Sequence, residues 1–295
     1  MRTSPDCLAC FLRQAEYSAD LATDSLPLRT AIMDKAANLI PTFALELSPP
    51  ENSVSLYRMI AEMSDHTDIF SDLKKRSNRA ALGMLPYLED KLKFSETPLL
   101  TAARLAIAGN IIDYGSHQDF DVQKAIDECL TNELAINHLE EFQKKLRTAQ
   151  KILYLADNCG ELVFDRLLIE YIGKPVTLAV KEKPIINDAL RKDAEYCGLD
   201  LSCRIISNGT DCPGTPLQNC SREFRREFEA ADLIISKGQG NFETLSEIDA
   251  PIFFMLMVKC PVVANHVAEI ADRPKDTIIN GDLVLMEHNR GNLIK

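Results

Sequence analysis

Apolar positions recur at helical spacing through the first half of the chain. Leu28, Ile32, Ala36 and Ile40 form one such series, and Leu100, Ala103, Ala106, Ile107 and Ile111 form another, with polar residues between them. Both fit one buried face of an amphipathic helix. Clusters such as Ser48-Pro49-Pro50-Glu51-Asn52 punctuate these segments, because Pro and Ser end and restart helices. The stretch 132–151 is rich in Glu and Lys and lightly apolar, which predicts a solvated helix leading into a second domain.

From residue 152 the period changes. Short apolar runs at 152–155, 176–180, 205–206, 233–235 and 252–258 alternate with amphipathic stretches such as 164–172 and 188–197. Buried strands joined by crossover helices give that pattern, so the second half predicts a doubly wound, mostly parallel sheet. Only three of twelve glycines precede residue 150, consistent with a change of architecture there. The expected fold is α/β: a helical domain over 1–149 packed on a Rossmann-like α/β/α domain over 150–295.

Composition narrows the function. Hydrophobic residues make up 46% and charged residues 26% of 295, the mix of a globular protein. A formal net charge of -11 repels polyanions, so nucleic acid is not the expected partner. The apolar run at 252–258 is too short to span a bilayer, and the first twenty residues lack a secretory pattern. A cytoplasmic protein with no membrane partner is expected. Nine scattered cysteines do not resemble a disulfide framework.

In doubly wound sheets ligands sit outside the carboxyl ends of the strands. Asp157, Asn158 and Glu161 follow the first run, Lys181, Lys183, Asn187 and Asp188 the second, Ser207 and Asn208 the third, and Lys237, Gly238, Gly240 and Asn241 the fourth. Oxygen donors from Asp and Asn suit a divalent cation, and Lys with glycine-loop amides suits phosphate oxygens. Each group has a plainer role available. Asp157-Asn158 and Asn187-Asp188 serve equally as turns or helix caps. Gly238 and Gly240 make only a weak dinucleotide fingerprint, because Glu243 occupies the third glycine position. In the helical half, Asn110 and Asp113 share a helix face at i and i+3, either as a buried hydrogen-bonded pair or as a wall of the crevice. Cys7 and Cys10 form one CxxC at a helix start, where thiolates are stabilised; a structural or redox role and simple packing both stand.

The segments CLAC from Cys7, AIAGNIIDYG from Ala106, LADNCGE from Leu155, VKEKPIINDA from Val180 and KGQGNFE from Lys237 together resemble the damage-control phosphatases, long described as domain of unknown function 89. The likeness runs over nearly the whole chain, and the CxxC resembles the mark of one microbial branch. It implies metal-dependent hydrolysis of small phosphate monoesters, such as sugar phosphates and phosphopantetheine-type metabolites, with Mn, Ni, Co or Mg as the divalent cofactor. It further implies Asp157, Asn158 and Asp188 as metal ligands. Asn110, Asp113, Lys181, Ser207, Asn208, Lys237, Gly238, Gly240 and Asn241 are the implied substrate contacts. Asp157, Asp113 and Lys237 are the catalytic candidates, with water attack preferred over an aspartyl-phosphate. A non-catalytic binder of a phosphometabolite or cation is the alternative. A carboxyl methyltransferase is less favoured, because no early glycine-rich cofactor loop is present.

Overall fold

The computed structural model describes residues 1–110 and 121–288. The helical half comprises α1 (Pro5–Ala22), α2 (Leu26–Leu39), α3 (Pro49–Ser64), α4 (Ser71–Lys93), α5 (Pro98–Ala108) and α6 (Val122–Thr131). Local chemistry sets their starts. Ser4 caps α1 by accepting the Asp6 N–H, with Pro5 at the first helical position. Ahead of α3, the Glu51 carboxylate accepts the Ser48 backbone N–H at 3.0 Å. Phe11, Ala15, Ala19 and Ala22 line the buried face of α1, and meet Ile32 and Ala36 of α2 and Leu56 and Ile60 of α3.

Seven strands form one sheet: β1 (Ile136–Asn137), β2 (Ile152–Leu155), β3 (Val176–Val180), β4 (Arg204–Ser207), β5 (Leu233–Lys237), β6 (Ile252–Met257) and β7 (Leu283–His288). Their order is β1-β7-β6-β5-β2-β3-β4, parallel except for the antiparallel β6–β7 pair. The helices between them are α7 (Leu139–Thr148), α8 (Glu161–Ile172), α9 (Arg191–Tyr196), α10 (Arg222–Ala230), α11 (Gln239–Leu245) and α12 (Pro261–Ile270). The expected mixed α/β fold with its mostly parallel sheet is present.

Two features differ from the sequence pattern. The stretch 132–151 is not one helix. Ile136 and Asn137 pair in parallel with Val284 and Leu285, and only Leu139–Thr148 is helical. A two-residue edge strand has too few positions to display a period of two. The strand β7 is absent from the expected pattern, although its four consecutive buried residues Leu283 to Met286 lie between β1 and β6. The sheet therefore draws on residues before position 150.

The two halves share one continuous core. Helix α5 is apolar nearly all round, and its alanines let it lie close to α8. At its end, a Cβ on Gly109 would stand 3.1 Å from the Glu161 Cα and 3.2 Å from the Phe164 ring. This close approach puts the end of α5 beside the start of α8.

The chain reverses direction at the sheet centre, running from β2 outward through β3 and β4 and then back to β5 on the other side of β2. That is a topological switch point, where α/β sheets open a crevice. The residues after β2 and β5 border it.

Candidate metal centre

Asp157 and Asn158 leave the end of β2, and Asn187 and Asp188 lie on the loop after β3. Backbone bonds join the two segments. The Cys159 N–H donates to the Asn187 carbonyl at 2.8 Å, the Ala189 N–H donates to the Asp157 carbonyl at 2.9 Å, and Asn158 and Asp188 face one another in an antiparallel bridge. Ile186 precedes them with φ 33°, a left-handed conformation that a β-branched residue rarely adopts. Strain of this kind, of order 1–3 kcal/mol, persists only where surrounding structure enforces it. Here it turns Asn187 and Asp188 toward Asp157.

A cavity of about 690 Å³ opens on this junction, and Asp157, Asn158, Asn187 and Asp188 line it together with Gly240 and Glu243. Helices of the first half supply the opposite wall through Cys7, Cys10, Gln14 and Tyr57. The helical half thus caps a cleft in the sheet half.

The oxygens in the cleft are under-supplied with donors. Asp188 is 1% exposed, and neither of its carboxylate oxygens accepts a hydrogen bond. Its nearest cation is Lys181, with Nζ at 3.5 Å. Asp157 Oδ2 accepts only a 3.1 Å bond from the Asn158 amide. That amide nitrogen also donates to Glu161 Oε1 at 2.9 Å, so the Asn158 nitrogen lies between two carboxylates and its oxygen is left available. Burial pushes the Asp157 carboxyl well above its usual range, reinforced by Glu161 and Asp188. Burial likewise raises Asp188 to about 6, against the pull of Lys181 and Lys74.

Two carboxylates and an amide oxygen that converge with so few protein donors fit a hard or borderline divalent cation. Among the described residues, no three His, Cys, Asp or Glu side chains stand together as a ready metal centre. The set here differs in that its third member is Asn158.

Behind the cleft lies a buried charge cluster. Lys237 Nζ donates to Glu161 Oε2 at 3.0 Å and to Asp165 Oδ1 at 2.7 Å, and the Tyr154 hydroxyl donates to the same Asp165 oxygen at 2.6 Å. Burial opposes the charge of Lys237, but Asp165 and Glu161 outweigh it and hold the ammonium above the usual lysine range. Burial raises Asp165 to about 6. Lys237 is thus engaged by two carboxylates and does not line the cleft.

Several other expected site residues are occupied inside the protein. Lys181 donates to the Gly214 carbonyl. Asn208 Oδ1 accepts the Thr210 N–H at 3.0 Å, and Ser207 Oγ accepts the Gly209 N–H at 2.9 Å, so both shape the turn after β4. Asn241 donates to the Ala156 and Lys237 carbonyls and accepts from Thr215, which ties β2 to β5. Gly238, at φ 77°, makes room for Asp157: a Cβ there would stand 1.9 Å from Asp157 Oδ2. A Cβ on Gly240 would meet the Pro213 carbonyl oxygen at 2.0 Å. Asn110 donates to Glu161 Oε1 at 2.6 Å. Asp113 lies outside the described residues.

Sequence reasoning assigned no role to four participants. Glu161 stands among the polar residues after the first run without a role of its own, and Asp165 reads as an ordinary residue of the helix after β2. Asn78, on α4, accepts the Gly160 N–H at 2.7 Å, a contact over 82 positions that no local pattern announces. Glu243 lines the cleft, and burial raises its carboxyl to about 7, with Gln239 donating to it at 2.8 Å. Cys7 and Cys10 share the cleft with Cys260, rather than with Cys212 or Cys220. Burial lifts both thiols of the pair above their ordinary value, overriding the expected helix-terminus stabilisation of a thiolate.

A doubly wound sheet with an acidic, helix-capped cleft at its switch point defines a Rossmann-like α/β protein. The chain belongs to the damage-control phosphatase ARMT1-like family, whose model matches residues 3–273. It is 37% identical over 273 residues to a damage-control phosphatase of Pyrococcus horikoshii, covering 90% of this chain and 94% of that one. A damage-control phosphatase of Archaeoglobus fulgidus is 30% identical over 277 residues, with 90% and 96% covered. An uncharacterised protein of Methanocaldococcus jannaschii is 34% identical over 283 residues, with 90% and 92% covered. The crystal structure of a DUF89 family protein from Pyrococcus horikoshii superposes with a TM-score of 0.87 at 35% identity, over 98% of this chain and all of that one. No helix among the described residues is long and apolar enough to cross a membrane.

Proposed function

We propose that this chain is a metal-dependent phosphatase that hydrolyses small phosphate monoesters, such as sugar phosphates or damaged phosphometabolites. The observation that carries this reading is the Asp188 carboxylate, buried beside Asp157 in the cleft with neither oxygen accepting a hydrogen bond and a single lysine, Lys181, at 3.5 Å. Relatives named damage-control phosphatases support the reaction class.

Asp157, Asp188 and the Asn158 amide oxygen would hold the cation. When bound there, a divalent cation neutralises charge on a phosphoryl group and lowers the pKa of a water. Asp157 and Asp188 bring two negative charges, of which Lys181 offsets only part from 3.5 Å while it also donates to the Gly214 carbonyl, and Lys237 is engaged by Glu161 and Asp165. Glu243 faces the same cavity with a carboxyl balanced near neutrality, suited to take or return a proton during hydrolysis. Burial of Asp157 and Asp188 beneath the helical wall strengthens these charges.

The test is phosphate release from a panel of sugar phosphates and phosphopantetheine. Chelator-treated protein would be supplied with Mn, Co, Ni or Mg beside the Asp157→Asn variant. Release that requires metal and vanishes in the variant is expected. Cation binding without release from any ester would overturn the enzymatic reading in favour of a binding protein.

A further inference from the structure

Glu161 opens α8 yet does not line the cleft. Three donors meet on its carboxylate. Oε1 accepts from the Asn110 amide at 2.6 Å and the Asn158 amide at 2.9 Å, while Oε2 accepts from Lys237 Nζ at 3.0 Å. All four residues are buried.

A primary amide presents a donor on one side and an acceptor on the other. The Asn158 nitrogen sits between Glu161 Oε1 and Asp157 Oδ2, which fixes which way the amide is turned. We infer that Glu161 is a positioning residue for the cation, acting through Asn158: it holds that amide with its oxygen, not its N–H groups, available to the metal. This inference rests on the metal-binding reading above. Lys237 completes the device from behind as the buried counterion of this carboxylate, with its ammonium at 3.0 Å from Oε2. Asn110, at the end of α5, extends the same carboxylate into the helical half.

The alternative is that Glu161 merely balances Lys237 within the core. Asp165 separates the two possibilities, since it shares Lys237 with Glu161 at 2.7 Å and has no bond to Asn158.

The experiment is calorimetric titration of the whole chain with Mn2+, alongside thermal melts of the metal-free protein. Glu161→Gln places an N–H group against either Lys237 or the two amides, and its Kd for Mn2+ is expected to rise by roughly 10- to 100-fold, as for other outer-shell partners of metal ligands. Asp165→Asn is expected to lower the melting temperature while leaving the Kd within about twofold. Equal losses of affinity in both variants, or an unchanged Kd in folded Glu161→Gln, would overturn the assignment. If Glu161→Gln does not fold, Asn110→Leu removes one of the amides that orient the carboxylate. A rise in Kd of roughly threefold or more is then expected, and an unchanged Kd overturns the inference. Wild-type protein that binds no Mn2+ would sink the metal reading as a whole. Normal wild-type binding that is insensitive to Glu161 would sink this inference alone.

Discussion

Replacing Gly238 by Ala tests the site at its most crowded atom. A Cβ there would stand 1.9 Å from Oδ2, 2.1 Å from Cγ and 2.7 Å from Oδ1 of Asp157, where ordinary contact begins near 3.4 Å. The Asp157 carboxylate must therefore retreat by about 1.5 Å, whereas metal–ligand distances tolerate roughly 0.2 Å. The φ of 77° with ψ of 168° is a conformation essentially confined to glycine and adds strain of about 1–3 kcal/mol for a residue with a Cβ. Loss of Mn2+ affinity on the order of 100-fold or more is expected, with a folded protein by circular dichroism and a modestly lower melting temperature. Gly240→Ala is the comparison: its Cβ would strike the Pro213 carbonyl oxygen at 2.0 Å and no proposed ligand. It should lower stability with Mn2+ affinity kept within about threefold. A folded Gly238→Ala protein that binds Mn2+ as tightly as wild type in calorimetry would refute the placement of Asp157 on the metal.

Asp188→Asn should abolish both metal-dependent phosphate release and the rise in melting temperature with Mn2+. The metal-free protein should also lose stability, by up to about 3–5 kcal/mol, because Lys181 is left buried without its carboxylate partner at 3.5 Å; unchanged chemical denaturation would show that this pair contributes nothing. Lys237→Met leaves Glu161 and Asp165 buried without their cation, at an expected cost of about 3–5 kcal/mol measured by urea unfolding. Glu243 links stability to pH. Its carboxyl is raised from 4.5 to about 7 by burial, so its stabilising contribution is full below about pH 4.5 and is lost as pH rises through 7. The difference is about 3 kcal/mol. Glu243→Gln should flatten the metal-free stability profile between pH 5 and 8, and an unaltered profile would show that Glu243 titrates normally.

The parts of this protein legible in its sequence are those with a local signature. The runs at 152–155 and 176–180 announce central strands because both faces of the sheet are covered, which makes them apolar throughout. Because ligands gather at the carboxyl ends of such strands, Asp157, Asn158 and Asp188 could be placed at one crevice, and the family resemblance singles out these three. The engagement of Lys237 could not be read in this way. A lysine at a strand end reads as a phosphate contact unless its partners are known. Its partners, Glu161 and Asp165, lie 76 and 72 positions away on a helix whose first turn looks unremarkable. Ser207, Asn208 and Asn241 were singled out for the same reason, their polarity at a strand end, and each is engaged in a backbone turn or an interstrand tie. Polarity marks the rim of the crevice, but geometry decides which polar groups keep an unused lone pair.

The backbone suture between the two ligand-bearing loops carries its own reporters. The amide protons of Cys159 and Ala189 are donated across the junction, so their exchange with deuterated solvent requires the loops to part. A cation gripping Asp157 on one side and Asp188 on the other would oppose that parting. Slowed exchange at those two amides on adding metal would read out loop closure directly, residue by residue, in a protein whose substrate has yet to be supplied.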